Sequence, residues 1–192
     1  MSFFAMLSRM KYINRWGLMN NKRTENLSEH SLEAAMIAHG LATLGNVRLG
    51  KNLDADHIAV MALFHDCTEI ITGDMPTPVK YYNDEIRRSY KQIEKIAAKE
   101  LVSLLPEDLQ SVYEPLLNEK GNNEYETRLV KAADKIAAYI KCIDEIRLGN
   151  DEFKKAKDAN EKAVRDMKLP EADMFMEEFA PAYGLTLFEH NL

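Results

Sequence analysis

The chain has 192 residues, 46% of them hydrophobic and 29% charged, and its 25 Lys+Arg against 31 Asp+Glu leave a net charge of −6. That length supports one domain with a core that needs no disulfide or metal staple, and the composition is that of a globular chain, not a disordered one. The acidity excludes a general nucleic-acid binder, which needs a basic stripe to match polymer phosphate, but leaves room for a single nucleotide held by one or two local cations.

The opening residues Phe3, Phe4, Met6, Leu7, Met10 and Ile13 place apolar side chains along one side of a first helix. Arg9 and Lys11 close that apolar stretch early and no basic segment precedes it, so it reads as an amphipathic helix and not a leader. A polar break over residues 20–26 follows. Asn26 as N-cap with Glu29 three residues on predicts a second helix running to Gly45, and Asp54 caps a third that leads into His65-Asp66. Gly73 and the Pro76-Thr77-Pro78 cluster predict a loop, because proline lacks the amide donor and restricts the residue before it.

Further helices are expected at about 83–105, 107–118 and 124–148, the last stopped by Gly149, with two more from Asp151 and Glu171. The charged runs 91–100 and 151–168 read as solvated helix faces with pairs four residues apart. No segment alternates with period two for long enough to suggest a sheet, and no repeat or linker divides the chain. The expectation is a single all-α domain over 1–192. The two cysteines, Cys67 and Cys142, are too few for a disulfide framework or a thiolate zinc site, and no apolar run approaches a bilayer span. A reducing cytoplasm and no membrane partner fit best.

The five histidines, at 30, 39, 57, 65 and 190, are few enough to weigh separately. His65 stands out because Asp66 follows it at the end of the apolar run 58–64, where an ionised carboxylate is costly unless it is paired or binds a cation. A capping or salt-bridge role for Asp66 stays open. Asp134 also lies among apolar neighbours, beside a stripe of Leu129, Ala133, Ile136 and Ile140, although an ion pair with Lys131 or Lys135 reads equally well. His30, one turn into its helix, is the third candidate. Nine steps of about 100° take His39 to the far side of that helix, and His57 lies roughly 12 Å along the axis from His65. His190 is close to the chain end. This leaves His30, His65, Asp66 and Asp134, a donor set suited to a borderline divalent ion.

The order His … His-Asp … Asp on helices resembles the HD-domain metal-dependent phosphohydrolase superfamily, an all-helical bundle. Longer segments narrow the resemblance to bacterial HD-domain 5′-deoxynucleotidases: Ile13-Asn14-Arg15-Trp16, Arg23-Thr24-Glu25-Asn26, Ser28-Glu29-His30-Ser31, Glu69 after His65-Asp66, Thr72-Gly73-Asp74, Pro76-Thr77-Pro78-Val79-Lys80 and Leu129-Val130-Lys131-Ala132-Ala133-Asp134. The similarity extends over nearly the whole chain and is more diffuse in its last third. It implies hydrolysis of deoxyribonucleoside 5′-monophosphates to deoxynucleoside and phosphate by a metal-activated water, with low base selectivity and a preference for sugars lacking the 2′-hydroxyl. It implies one divalent ion (Co, Mn, Zn, Fe or Mg) on the four ligands, and a homodimer.

The same resemblance implies that Glu69 is a catalytic carboxylate beside the ion, and that Asp74 touches substrate and relays a proton to the leaving 5′ oxygen. Arg15 becomes a phosphate clamp, for which its planar fork is suited, and Trp16 a wall beside the sugar. Read without it, Glu69 is a solvated helix-end acid, or a residue on the His65-Asp66 face if that helix continues so far. Asp74 is then a turn residue, Arg15 a cation at a helix end and Trp16 core filling. Two rival functions keep parts of the pattern: an HD-type hydrolase or phosphodiesterase acting on another nucleotide, and a non-catalytic nucleotide-binding protein with a structural ion.

Overall fold

The computed structural model describes residues 1–80, 82–118 and 123–190. Among them the regular structure is helical throughout, apart from one isolated antiparallel bridge between Asn14 and Asn26. In chain order the helices are α1 (Phe3–Leu7), α2 (Leu27–Leu49), α3 (Ala55–Phe64), α4 (Glu69–Thr72), α5 (Thr77–Lys80), α6 (Asp84–Ser103), α7 (Glu107–Asn118), α8 (Glu124–Arg147), α9 (Lys154–Asp166) and α10 (Pro170–Glu178). Short 3₁₀ turns cover Ser8–Tyr12, Asp151–Phe153, Ala180–Gly184 and Leu187–Glu189. The all-α expectation is met.

The chain divides into two compact units. The first comprises Met1–Met19, Thr24–Ser31 and Phe64–Asn122. Its core gathers Phe3, Met10, Leu27, Cys67, Ala98, Leu101, Val102, Leu105 and Leu117, with Tyr113 edge-on to Phe3 at 5.1 Å between ring centroids. Burying each of the larger side chains contributes about 2 kcal/mol against solvent exposure. The N-terminal segment differs from a continuous amphipathic helix. After α1 the chain tightens into the 3₁₀ turn, so Phe3 and Met10 are the buried anchors while Phe4 is left exposed. Asn83 caps α6 as its Oδ1 accepts from the Ile86 N–H at 2.8 Å.

The second unit comprises Asn20–Arg23, Leu32–Leu63 and Asn123–Leu192. Here α8 packs against α9 and α10, and its Leu129, Ala133, Ile136 and Ile140 form the buried stripe expected from their spacing. The exposed side of α9 carries ion pairs four residues apart, Lys157–Glu161, Glu161–Arg165 and Lys162–Asp166, as the charge run predicted. Gly45 does not end α2. A Cβ there would meet Glu171 Oε1 at 2.8 Å and Leu53 at 3.1 Å, so this glycine permits close approach inside the unit, and the helix stops only at Gly50, with φ +64°. Glu171 itself is fully buried and accepts from Lys51 Nζ at 2.6 Å and from the Tyr125 hydroxyl.

A candidate metal centre and its surroundings

The first turn of α2 is built by Asn26, whose Oδ1 accepts from the N–H groups of Ser28 and Glu29 at 3.0 and 3.1 Å, while the Glu29 carboxylate accepts from the Asn26 N–H at 3.1 Å. This reciprocal cap satisfies otherwise orphaned helix-end donors and sets the start of α2. It places His30 one turn in, with no exposed surface.

The second ligand pair sits where a helix breaks. α3 ends at Phe64, residues 65–68 form a turn, and the chain re-enters a helix at Glu69. Glu69 therefore does not share a helix with His65 and Asp66, contrary to the continuous reading. Asp66 Oδ2 lies 3.1 Å from His65 Nε2, 3.7 Å from His30 Nε2 and 3.2 Å from the donating Arg15 Nη1. The two imidazole centroids are 5.3 Å apart, and one donor atom from each of His30, His65 and Asp66 lies within 4.8 Å of the others. Two largely buried imidazoles beside a carboxylate are a mixed N/O donor set that a borderline divalent ion fits.

Glu69 is buried, and its Oε2 has no hydrogen-bond donor among the described residues. Burial and the charges of Asp66 and Asp74 push its pKa up to about 9, against a smaller downward pull from Arg15 and Lys80. It is thus not a solvated helix-end acid. Asp74 follows Gly73, whose φ of +73° turns the chain out of α4, and its Oδ2 accepts from the Trp16 N–H at 3.3 Å. Burial raises the Asp74 carboxyl too, partly opposed by Arg15. The proline cluster after it holds one short helix, α5, whose Pro78 stands at the second position, where no intrahelical N–H is needed. Lys80 from α5 donates to Glu94 at 3.0 Å.

Arg15 and Trp16 lie beyond the 3₁₀ turn, not at a helix end. Trp16 is half-buried and has φ +60°, a sparsely populated conformation for a non-glycine residue. Glu25 received no role from the sequence, and the structure places it at the centre of this corner. Its Oε2 accepts from Arg15 Nε at 3.2 Å and from Trp16 Nε1 at 2.8 Å. The available signal was an acid directly before a helix N-cap, a position with many bland explanations.

Asp134 belongs to the second unit, on α8, and its Oδ2 accepts from Lys135 Nζ at 3.0 Å, the ion pair anticipated as its alternative reading. His39 and His57 are exposed in the same unit, with His39 3.4 Å from Asp56, and His190 is exposed as well.

A family model described as 5′-deoxynucleotidase YfbR-like matches residues 2–183. The chain belongs to the YfbR-like 5′-deoxynucleotidase family. A 5′-deoxynucleotidase of Erwinia tasmaniensis is 53% identical to it over 187 residues, covering 97% of this chain and 94% of the relative. The 5′-deoxynucleotidase YfbR of Escherichia coli is 50% identical over the same shares of the two chains. Among solved structures, an HD-domain phosphohydrolase from Listeria innocua superposes with a TM-score of 0.83 at 24% identity, covering 95% of this chain and 88% of that one. A cyanophage S-2L HD phosphohydrolase bound to dA and one catalytic Zn²⁺ superposes with a TM-score of 0.64 at 20% identity, covering 95% and 96%. These likenesses establish that the helical fold of this YfbR-like chain is that of HD phosphohydrolases.

Proposed function

We propose that this chain is a divalent-metal-dependent 5′-deoxynucleotidase, which hydrolyses deoxyribonucleoside 5′-monophosphates to deoxynucleoside and phosphate. The observation that carries the reading is the convergence of His30, His65 and the Arg15-bound carboxylate of Asp66, in a chain 53% identical to a named 5′-deoxynucleotidase. His30, His65 and Asp66 would hold the ion, with Asp134 as the fourth donor. The residues 1–192 are taken as one HD domain, because the first unit supplies the start of α2 and the second its continuation.

A bound divalent ion polarises a phosphoryl oxygen and acidifies the water beside it. Arg15 presents its fork to the phosphate, neutralising charge that grows on the equatorial oxygens. Glu69 accepts the proton of the attacking water once a cation held beside it offsets the charges of Asp66 and Asp74 and keeps its carboxylate ionised. A new P–O bond forms, the bond to the 5′ oxygen breaks, and Asp74 delivers a proton to that oxygen. The Trp16 indole lies against the sugar, where an added 2′-hydroxyl would clash or be left unpaired. The base needs few contacts, hence low base selectivity.

Among the described residues no helix is long and apolar enough to cross a membrane. A cytoplasmic homodimer completes the reading; light scattering in solution tests the dimer. Phosphate release from deoxyribo- and ribonucleoside 5′-monophosphates, with Mg, Mn, Co and Zn supplied in turn to metal-stripped protein, tests the activity. Faster release from the deoxy substrates with at least one ion is expected. Tight nucleotide binding without turnover under every ion would overturn it.

A further inference from the structure

We infer that Glu25 is a positioning residue that sets the Arg15 guanidinium and the Trp16 indole together in the geometry the substrate meets. This rests on the roles proposed above for Arg15 and Trp16. Glu25 is a buried carboxylate directly preceding the N-cap of α2, so the anchored start of that helix fixes its backbone. It grips the two neighbours at three points. Its carbonyl accepts from the Arg15 N–H at 2.9 Å. Its Oε2 accepts from Arg15 Nε at 3.2 Å and from Trp16 Nε1 at 2.8 Å.

With Nε occupied by Glu25, the far edge of the guanidinium is carried to Asp66, where Nη1 donates to Oδ2 at 3.2 Å. The fork is thereby ordered before any phosphate arrives, and ordering a side chain in advance removes part of the entropy cost of binding. Trp16 is held at both ends, since its indole N–H goes to Glu25 and its backbone N–H to Asp74 at 3.3 Å. A left-handed backbone at φ +60° persists only where its surroundings over-determine it. Glu25 therefore couples phosphate capture to sugar discrimination: losing it loosens both at once.

Trp16 is the only tryptophan in the chain, so intrinsic fluorescence reports on it without substrate. Glu25→Ala is expected to red-shift the Trp16 emission and add a fast component to its anisotropy decay. It should also lower the deoxyribo-to-ribo ratio of kcat/KM on the order of ten-fold. In the double variant with Trp16→Ala, the ratio should be no lower than in Trp16→Ala alone, because both act through the same indole. Glu25→Gln keeps an oxygen for the indole N–H and drops the charge facing Arg15. It should restore emission and sugar ratio while KM for a deoxyribonucleoside monophosphate stays about ten-fold raised.

Wild-type emission and sugar ratio in Glu25→Ala would overturn the inference, and so would Glu25 and Trp16 effects that add in full. The parent reading fails by a different result: wild-type protein that releases no phosphate from any deoxyribonucleotide with any ion. In that case the emission of Glu25→Ala still decides whether Glu25 holds Trp16.

Discussion

Two buried glutamates, one in each compact unit, show what the fold does with a carboxylate it surrounds with donors and one it sets beside other carboxylates. Glu145 is 0% exposed and Glu69 6%, so burial hardly separates them. Their surroundings do. Glu145 accepts from the N–H groups of Lys22 and Arg23, from Lys141 Nζ and from Asn150 Nδ2, all between 2.5 and 3.0 Å. Burial alone would raise its pKa, but these donors outweigh burial and hold it down to about 2. Burial and the facing carboxylates of Asp66 and Asp74 drive Glu69 the other way, to about 9, and one of its buried oxygens has no donor among the described residues. Saturated hydrogen bonding keeps one buried acid charged; burial beside other carboxylates favours the neutral form of the other, and it is to that second kind that a chemical role is proposed above.

Four predictions sharpen or break that contrast, the largest effect first. His65→Ala or Asp66→Ala should reduce ion-dependent phosphate release to background in metal-stripped, reconstituted protein; wild-type turnover in either would remove the metal cluster from the site. Glu69→Gln should cut kcat on the order of 10²- to 10⁴-fold. The same change should leave the urea midpoint of the ion-free protein unchanged or shift stability by no more than about 1 kcal/mol, since the raised proton affinity of Glu69 keeps it neutral there, like the amide. Retained kcat would make Glu69 a second structural acid.

Glu145→Gln should do the reverse, costing about 3 kcal/mol in urea unfolding by stranding the buried Lys141 charge, with turnover per folded molecule near wild type. Its pH dependence has a definite sign. The folded carboxyl titrates near 2, below its ordinary 4.5, so its stabilisation is complete above about 4.5 and is lost as pH falls toward 2. Acid titration of unfolding should show that limb flattened in Glu145→Gln, and an unchanged limb would contradict the assignment. Smallest is Asn26→Ala, where loss of the cap should lower stability by about 1 kcal/mol without altering the metal dependence of activity.

Much of this was legible in advance, for a physical reason: local signals survive folding. The Asn26–Glu29 cap, the Asp54 cap that accepts from the His57 N–H, and the buried α8 stripe all appear where spacing and capping chemistry put them. His30 and His65 lie beside Asp66, the carboxylate that the apolar run singled out. What was not legible is what distant partners decide. Gly45 looked like a helix stop until Glu171 and Leu53, both remote from that helix turn, explained why it lacks a side chain. The break between α3 and α4 carries no proline or glycine to announce it. Glu25 owes its importance to residues ten and nine positions earlier in the chain, reached by a bridge that no periodicity encodes.

The positive φ of Trp16 has an implication for how this sequence can drift. At +60° the backbone itself favours glycine, yet the position holds the largest side chain in the genetic code. Relieving that conformation is worth on the order of 1 kcal/mol to the folded state. A library screened for thermal resistance alone should therefore enrich glycine at position 16, and, on the role proposed for Trp16, the survivors would be sturdier proteins with a blunted sense of which sugar they hold.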